Sequence, residues 1–281
     1  SVKIYFVNTK IKTTLLPHQE STVAKLMPVG HGLIFHECGM GKTLTALALL
    51  DQYQGLPALW VCPKSVVKTI HRQILEHTHY TVNIIRGTTA QRPGRWAQAG
   101  QHAISIVSYD TMRLDLKHAA KEKFKTVICD ESHNIKNFSI KRTRAALTLL
   151  FTARNRYLLT GTPVLNNMMD AFVPLHVMDR LRFGSFWAFR NMYFTNVNMA
   201  KGLDWPDWRI KPDTKDRLLK FMEPFTSWET KEKNLAYLPP KIVSTRYYQM
   251  IGDQARTYKE IKAEFATEFD SNTLVTPGVL S

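Results

Sequence analysis

Leu33-Ile34-Phe35-His36-Glu37-Cys38-Gly39-Met40-Gly41-Lys42-Thr43, running on into Leu44-Thr45-Ala46-Leu47-Ala48-Leu49-Leu50, is the stretch that decides the fold. A short apolar run is followed by a glycine-bearing turn, a Lys-Thr pair and a segment with helical apolar spacing. Strand, turn and helix in that order make a cradle for phosphate, because a helix N-terminus offers unpaired N–H groups and a partial positive charge. Gly39 and Gly41 let the backbone come close to the anion. Lys42 can reach β- and γ-phosphate oxygens, and the Thr43 hydroxyl can hold Mg²⁺. His36 stands where such loops usually carry a first glycine. A glycine-rich turn without nucleotide is the plain alternative, and the flanking strand and helix argue against it.

The same punctuation recurs outward from this stretch. Short apolar segments at Ala58–Val61, Asn83–Ile85, Ile104–Val107, Val127–Cys129 and Tyr157–Leu159 are each followed by turn signals. Helical spacing then follows, for example over Ser65–His77 and Lys141–Phe151. Near-continuous apolar strands alternating with helices predict an α/β fold, a doubly wound and mostly parallel sheet covered on both faces. In such sheets ligands bind beyond the carboxyl ends of the strands. The polar motifs of this chain lie just past those ends, after Phe35, Val61, Val107, Cys129 and Leu159.

Asp130-Glu131-Ser132-His133 directly follows the apolar run Thr126–Cys129. Two acidic residues at the end of a buried strand, beyond a phosphate cradle, suit two tasks. Asp130 can bind Mg²⁺, directly or through water, and Glu131 can orient and deprotonate an attacking water. Neighbouring residues on an extended chain point to opposite sides, so the pair can divide these tasks.

The chain has 281 residues, enough for one large domain or two ordinary ones. Apolar residues make up 44% and charged residues 22%, ordinary for a soluble globular protein. No apolar run approaches the ~20 residues needed to cross a bilayer. Ser1–Phe6 lacks a secretory pattern and reads as a strand start, and the missing initiator Met points to a cut or processed chain. Cys38, Cys62 and Cys129 have neither metal-ligand spacing nor a disulfide framework, which fits a reducing cytoplasm. Thirty-eight Lys and Arg against twenty-three Asp and Glu give a net charge of +15, favouring a polyanionic partner. Lys136, Lys141, Arg142, Arg144, Arg154 and Arg156 occur with no acidic residue between them. Lys64, Lys68 and Arg72 recur at spacings of four, on or near one helix face. Beside a nucleotide site, such clusters read as the footprint of nucleic-acid binding rather than as solvated faces.

Past Leu165 the pattern changes. Residues 171–237 read as a helical insertion or protrusion on the lobe formed by residues 1–170. Phe183, Phe186, Trp187, Phe189, Tyr193 and Phe194 are expected chiefly as buried core. Leu238-Pro239-Pro240-Lys241 breaks the chain before a strand-like Ile242–Tyr248 and a helix over Asp253–Phe269, so residues 238–270 read as a return to the lobe. Residues 271–281 read as a linker.

Taken in order, these residues resemble the first RecA-like lobe of a superfamily-two ATPase of the Swi/Snf type, a double-stranded DNA translocase. Leu16-Pro17-His18-Gln19 is similar to the family's glutamine motif, Glu37 through Thr43 to motif I, and Val61 through Ser65 to motif Ia. Val107-Ser108-Tyr109 is similar to motif Ib, Asp130–His133 to a motif II of the DExH kind, and Leu158–Pro163 with Asn166-Asn167 to motif III and its continuation. Leu238–Lys241 resembles the family's Leu-Pro-Pro-Lys segment. The resemblance runs over nearly the whole chain, and the family form of motif I also lacks the first glycine. It implies ATP and Mg²⁺ as cofactors, with Gln19 reading adenine and Glu37, Gly39, Met40, Gly41, Lys42, Thr43 and Leu44 forming the nucleotide site. It further implies Thr43 and Asp130 toward the metal, and Glu131, Lys42 and Asp130 as the catalytic set. Lys64, Ser65, Ser108 and Tyr109 are implied to meet a nucleic-acid backbone without reading its sequence. His133, Thr160 and Thr162 are implied to couple the two sites.

The family commonly carries an arginine pair before Thr-Lys, where this chain has Trp228-Glu229-Thr230-Lys231. Nothing here resembles motifs IV to VI of the second lobe, which supplies transition-state arginines worth roughly 10³–10⁵ in turnover. The expectation is therefore a lobe that binds nucleotide and hydrolyses it poorly by itself. Its partners would be double-stranded DNA and a second RecA-like lobe, with no membrane. The compact loops suggest closeness to bacterial or phage members. A superfamily-two RNA helicase shares motifs I and II, but Thr160-Gly161-Thr162-Pro163 with Asn166-Asn167 argues against it. A restriction-type motor needs a nuclease constellation that the chain does not show. A nucleotide-gated DNA-binding module or degenerate scaffold is opposed by the intact Lys42, Thr43, Asp130 and Glu131.

Overall fold

A computed structural model describes residues 10–161, 168–200, 205–212, 214–234, 249 and 251–270. The chain divides into two units, Ser1–Ala236 and Tyr237–Ser281. Helix α1 (Pro17–Leu26) opens with proline at its first turn, where a missing N–H costs nothing. The left-handed Gly30 turns the chain into β1 (His31–His36). Helix α2 (Lys42–Gln52) begins directly after Gly41, whose φ of 73° suits a residue without Cβ. Then follow β2 (Ala58–Cys62), a 3₁₀ turn (Lys64–Val66), α3 (Val67–His77), β3 (Val82–Ile85), α4 (Arg92–Ala97) and β4 (Ile104–Ser108). Next come α5 (Tyr109–Leu114), α6 (Leu116–Ala119), β5 (Thr126–Cys129), α7 (Lys141–Thr152) and β6 (Asn155–Thr160). All six apolar runs read from the sequence are strands.

Residues beyond β6 form α8 (Phe172–Met178), α9 (Phe186–Tyr193), β7 (Phe194–Asn196), α10 (Val197–Ala200), β8 (Trp208–Ile210), α11 (Thr214–Met222), β9 (Thr226–Glu229) and α12 (Lys231–Asn234). Among the described residues of the second unit there is one helix, α13 (Gly252–Asp270), on which Arg256 reaches Asp253 and Glu260 at helical spacing. Ser1–Phe6, Thr162–Asn167, Leu238–Lys241, Ile242–Tyr248 and residues 271–281 lie outside the described residues.

The main sheet has the order β3-β4-β2-β5-β6-β1-β9, and every neighbouring pair is parallel. Alternation along the strands splits their apolar residues between two cores. Ile34, Trp60, Cys62, Ile106, Ile128, Tyr157 and Leu159 pack with α1, α2 and α3 on one face. Leu33, Phe35, Val61, Val107, Val127, Cys129 and Leu158 pack with α5, α7 and α8 on the other. Each fully buried Leu or Ile contributes about 1.5–3 kcal/mol relative to exposure. The expected doubly wound α/β sheet is therefore the observed fold.

The segment 171–237 differs from a purely helical insertion. It contains the antiparallel pair β7–β8, and β9 rejoins the main sheet beside β1. Thr226-Ser227-Trp228-Glu229 has only one large apolar side chain, so it gives no apolar run. It is an edge strand, held by backbone pairing and by polar side-chain bonds. Phe183, Phe189, Tyr193 and Phe194 are buried as expected, whereas Trp187 is exposed with the Arg190 guanidinium 4.4 Å above its ring.

Candidate functional site

Parallel strands bring all their carboxyl ends to one edge. Only β6 separates β1 from β5, so the turn after β1 and the turn after β5 meet there. A cleft of about 410 Å³ opens between the N-terminus of α2, the helix α3 and the turn after β5. Gly39, Gly41, Lys42, Thr43, Leu44, Asp130 and Glu131 all line it, and α3 adds Thr69, Gln73 and His77. A larger hollow of about 590 Å³ lies beside β9, among Lys25, Phe35, Leu219 and Trp228, and among the described residues none of the predicted site residues lines it.

The turn after β1 is braced on three sides. Lys42 Nζ donates to the His36 carbonyl at 3.1 Å, curling the ammonium back over its own loop. Gln19 Oε1 accepts from the Leu16 N–H at 2.8 Å, while its Nε2 donates to the Gly41 and Met40 carbonyls at 3.3 and 3.5 Å. A Cβ on Gly41 would come within 2.1 Å of that Nε2 and push the amide away, and the left-handed φ of 73° would strain any other residue there. Gln19 is buried, and its amide is used on the loop itself. Glu37 is exposed; its N–H donates to the Glu229 carbonyl, and its carboxylate accepts from the Lys231 N–H at 2.6 Å. Met40 and Leu44 are buried, and the Met40 carbonyl also accepts from His18 Nε2 at 2.9 Å. Gly161 abuts the loop from β6, where a Cβ would meet Cys38 Sγ at 2.9 Å and Lys42 Nζ at 3.1 Å.

Asp130 is buried at the end of β5, its N–H donating to the Val61 carbonyl and its Oδ1 accepting from the Glu131 N–H at 2.9 Å. Burial and the neighbouring Glu131 charge push its carboxyl up to about 6. The Glu131 N–H, Lys42 and the Trp60 indole act in the opposite direction. Such a carboxylate, short of compensating charge in a cleft that Thr43 also lines, is chemically suited to a cation. Among the described residues no three His, Cys, Asp or Glu side chains could hold a metal by themselves.

Glu131 has φ 48° and ψ 53°, a left-handed conformation that a non-glycine residue adopts only when its surroundings impose it. Glu131 therefore leaves the strand at a turn, so strand alternation does not send the two residues to opposite sides, and both line the same cleft. His133 is exposed, with Nδ1 3.3 Å from Glu131 Oε2 and Nε2 3.3 Å from Asn134 Nδ2. Thr160 is buried at the end of β6, and Thr162 lies outside the described residues.

The four residues assigned to nucleic acid divide. Lys64 and Ser65 are exposed just past β2. Ser108 instead caps α5, accepting from the Thr111 N–H at 3.2 Å. Tyr109 is 2% exposed, and its hydroxyl donates to the Asp130 carbonyl at 2.8 Å. Its side chain is thus placed to support the acidic turn, a position that an aromatic ring at the start of an apolar helix face explains. Within the basic run, Lys136 pairs with Asp170 and Arg142 with Asp110, whereas Lys141 and Arg144 border a small cleft with Arg113. Among the described residues no helix is long and apolar enough to cross a membrane.

This parallel sheet, with a lysine-tipped loop and an acidic pair meeting at its carboxyl edge, is a RecA-like α/β fold. The chain belongs to the SNF2-related domain family, whose model matches residues 18–276. It is 27% identical over 269 residues to the TATA-binding protein-associated factor BTAF1 of Arabidopsis thaliana, covering 88% of this chain and 13% of that protein. Over 248 residues it is 26% identical to the human DNA annealing helicase and endonuclease ZRANB3, covering 84% of this chain and 22% of that one. A SWI/SNF-related regulator of chromatin, subfamily A-like protein 1, from Xenopus laevis is 30% identical over 211 residues, covering 73% and 21%. The chain thus spans less than a quarter of these relatives. The Sulfolobus solfataricus SWI2/SNF2 ATPase core, solved in complex with dsDNA, superposes with a TM-score of 0.68 at 22% identity, over 97% of this chain and 57% of that one. These relatives are eukaryotic and the structural match is archaeal, so they lend no support to the expected closeness to bacterial or phage members.

Proposed function

We propose that this chain is the ATP-binding lobe of a motor that moves along double-stranded DNA and hydrolyses ATP when a second RecA-like lobe closes on it. The observation that carries the reading is the convergence of Lys42, Thr43, Asp130 and Glu131 on one cleft at the carboxyl edge of the sheet. Family membership and the +15 charge support it. Lys42 would leave the His36 carbonyl for the β- and γ-phosphates, which the N-terminus of α2 also attracts. Thr43 and Asp130 would hold Mg²⁺, whose charge offsets that developing on the transferred phosphoryl group. Glu131, set by its left-handed turn, would orient the attacking water and take its proton. Gln19 would sense adenine through the same amide that braces the loop, so base binding would loosen or re-aim the Gly41 carbonyl. His133, Thr160 and Thr162 would transmit the state of the site.

Duplex DNA would lie across the same edge of the sheet, on Lys64, Ser65 and the exposed basic residues of α3. Backbone contacts of this kind fix register without reading sequence, as a translocating motor requires. Transition-state arginines would come from the second lobe, so the isolated lobe would turn over slowly. Three free cysteines support a reducing compartment such as the cytoplasm.

The test is binding of a fluorescent ADP analogue, N-methylanthraniloyl-ADP, with Mg²⁺. Lys42→Ala is expected to weaken it at least tenfold with no change in melting temperature. Equal affinity in the two proteins would remove the phosphate-cradle assignment.

A further inference from the structure

His36 occupies the place of the missing first glycine, and its ring takes no part in the proposed chemistry. It is fully buried at the last position of β1. Its Nε2 lies 3.1 Å from Thr22 Oγ1 on α1 and 3.3 Å from Ser227 Oγ on the edge strand β9. Thr22 Oγ1 gives its single proton to the His18 carbonyl at 2.8 Å, and Ser227 Oγ lies 2.7 Å from the same oxygen. Thr22 must therefore accept from both neighbours, which places the imidazole proton on Nε2. The partnerless Nδ1 is then a bare acceptor, less costly to bury than a stranded N–H. Burial, and then the neighbouring His18, lower the ring to about 4, so it is neutral at working pH.

We propose that His36 is a positioning residue of the phosphate loop, joining it through Thr22 and Ser227 to α1 and to the edge strand β9. From this one residue the ring reaches β9, while the backbone carbonyl receives Lys42 Nζ at 3.1 Å. From the same helix α1, His18 holds the Met40 carbonyl at 2.9 Å, so one polar network grips the loop at both ends. A glycine at position 36 could provide the carbonyl and the backbone pairing with β9, but no side-chain tie to Thr22 or Ser227. Movement of the edge strand would consequently shift the carbonyl on which the resting Lys42 sits. Nucleotide affinity is thereby made dependent on a strand that does not line the nucleotide cleft. The inference rests on the nucleotide site proposed above and deepens it.

Ser227→Ala and Thr22→Val test it in the whole chain, because neither side chain lines the nucleotide cleft. Ser227→Ala removes the hydroxyl that donates to Thr22, and Thr22→Val removes the oxygen that His18, His36 and Ser227 share, so each should bind N-methylanthraniloyl-ADP·Mg²⁺ roughly threefold to tenfold more weakly. The double variant should be little worse than either single one. Amide exchange should rise over residues 37–41 while that of β5 and β6 stays unchanged, a pattern that general destabilisation would not give. His36→Phe should weaken binding comparably, and His36→Gln, which can place an N–H near the Nε2 position, should recover most of it. If His36→Phe does not fold, the two hydroxyl variants decide. Normal affinity and normal exchange in Ser227→Ala and Thr22→Val would overturn the proposal and leave the nucleotide site standing. No Mg²⁺-dependent binding in the unsubstituted protein would overturn both.

Discussion

Asp130→Asn should make the nucleotide-free protein more stable at neutral pH. The Asp130 carboxyl moves from the ordinary 3.8 up to about 6 because folding buries it beside Glu131. A group whose folded pKa exceeds its unfolded one favours folding while protonated, and that contribution is lost as pH rises through the folded value. Above pH 6 the ionised carboxylate therefore opposes folding. A shift of about two units corresponds to about 3 kcal/mol, at 1.36 kcal/mol per unit. Asparagine cannot ionise, and its Oδ1 can still accept from the Glu131 N–H that now bonds Asp130 at 2.9 Å.

At roughly 2 °C or more per kcal/mol for a chain of this size, the variant should melt about 6 °C higher at pH 8 in the presence of EDTA. The gap should shrink to about half near pH 5, where the folded carboxyl is mostly protonated, and close near pH 4. Saturating Mg²⁺ and ADP, at a hundred times the dissociation constant, should raise the parent by about 2.7 kcal/mol and the variant much less, so the gap nearly closes. Melting curves followed by circular dichroism from pH 4 to 8.5 provide the assay. A variant no more stable than the parent at pH 8, or a gap that does not narrow on acidification, would refute the reasoning. The buried acid would then be stabilised by something other than the cation its surroundings lack.

Two further outcomes follow from the site. In an assembly containing the proposed second lobe, Glu131→Gln should leave nucleotide affinity within about twofold and lower steady-state turnover by at least a hundredfold, consistent with loss of the proposed general base; persistent phosphate release would give that role to another residue. Lys64→Ala should weaken binding to duplexes of any sequence and reduce the slope of log affinity against log salt by about one, measured by titration at several salt concentrations; an unchanged slope would move DNA off this turn.

The sheet was legible because parallel strands must be apolar on both faces, and unbroken apolar runs such as Leu33–Phe35 and Val127–Cys129 have few other uses. β9 was not legible for the converse reason. An edge strand has one neighbour, and Thr226-Ser227-Trp228-Glu229 is held by pairing with β1 and by hydroxyls, neither of which leaves a hydropathy signal. The contribution of α3 to the cleft leaves a weaker trace in the sequence. Thr69, Gln73 and His77 recur every four residues, marking a polar face beside the apolar one formed by Ile70 and Ile74.

The site was legible in the identity of its residues more than in their present bonds. A motif states which groups chemistry needs, but it cannot say what those groups hold between turnovers. Gln19 spends its amide on the Gly41 and Met40 carbonyls, Glu37 its carboxylate on the Lys231 N–H, and Lys42 its ammonium on the His36 carbonyl. Each bond ties the phosphate loop to a different element, α1, α12 or β1. A ligand that takes any of these groups must release the element that group holds. On the proposed reading, the polar residues around the cradle would therefore report on nucleotide as well as bind it, and a loop with glycine in place of His36 would lose the hydrogen bonds that its ring makes to Thr22 on α1 and Ser227 on β9.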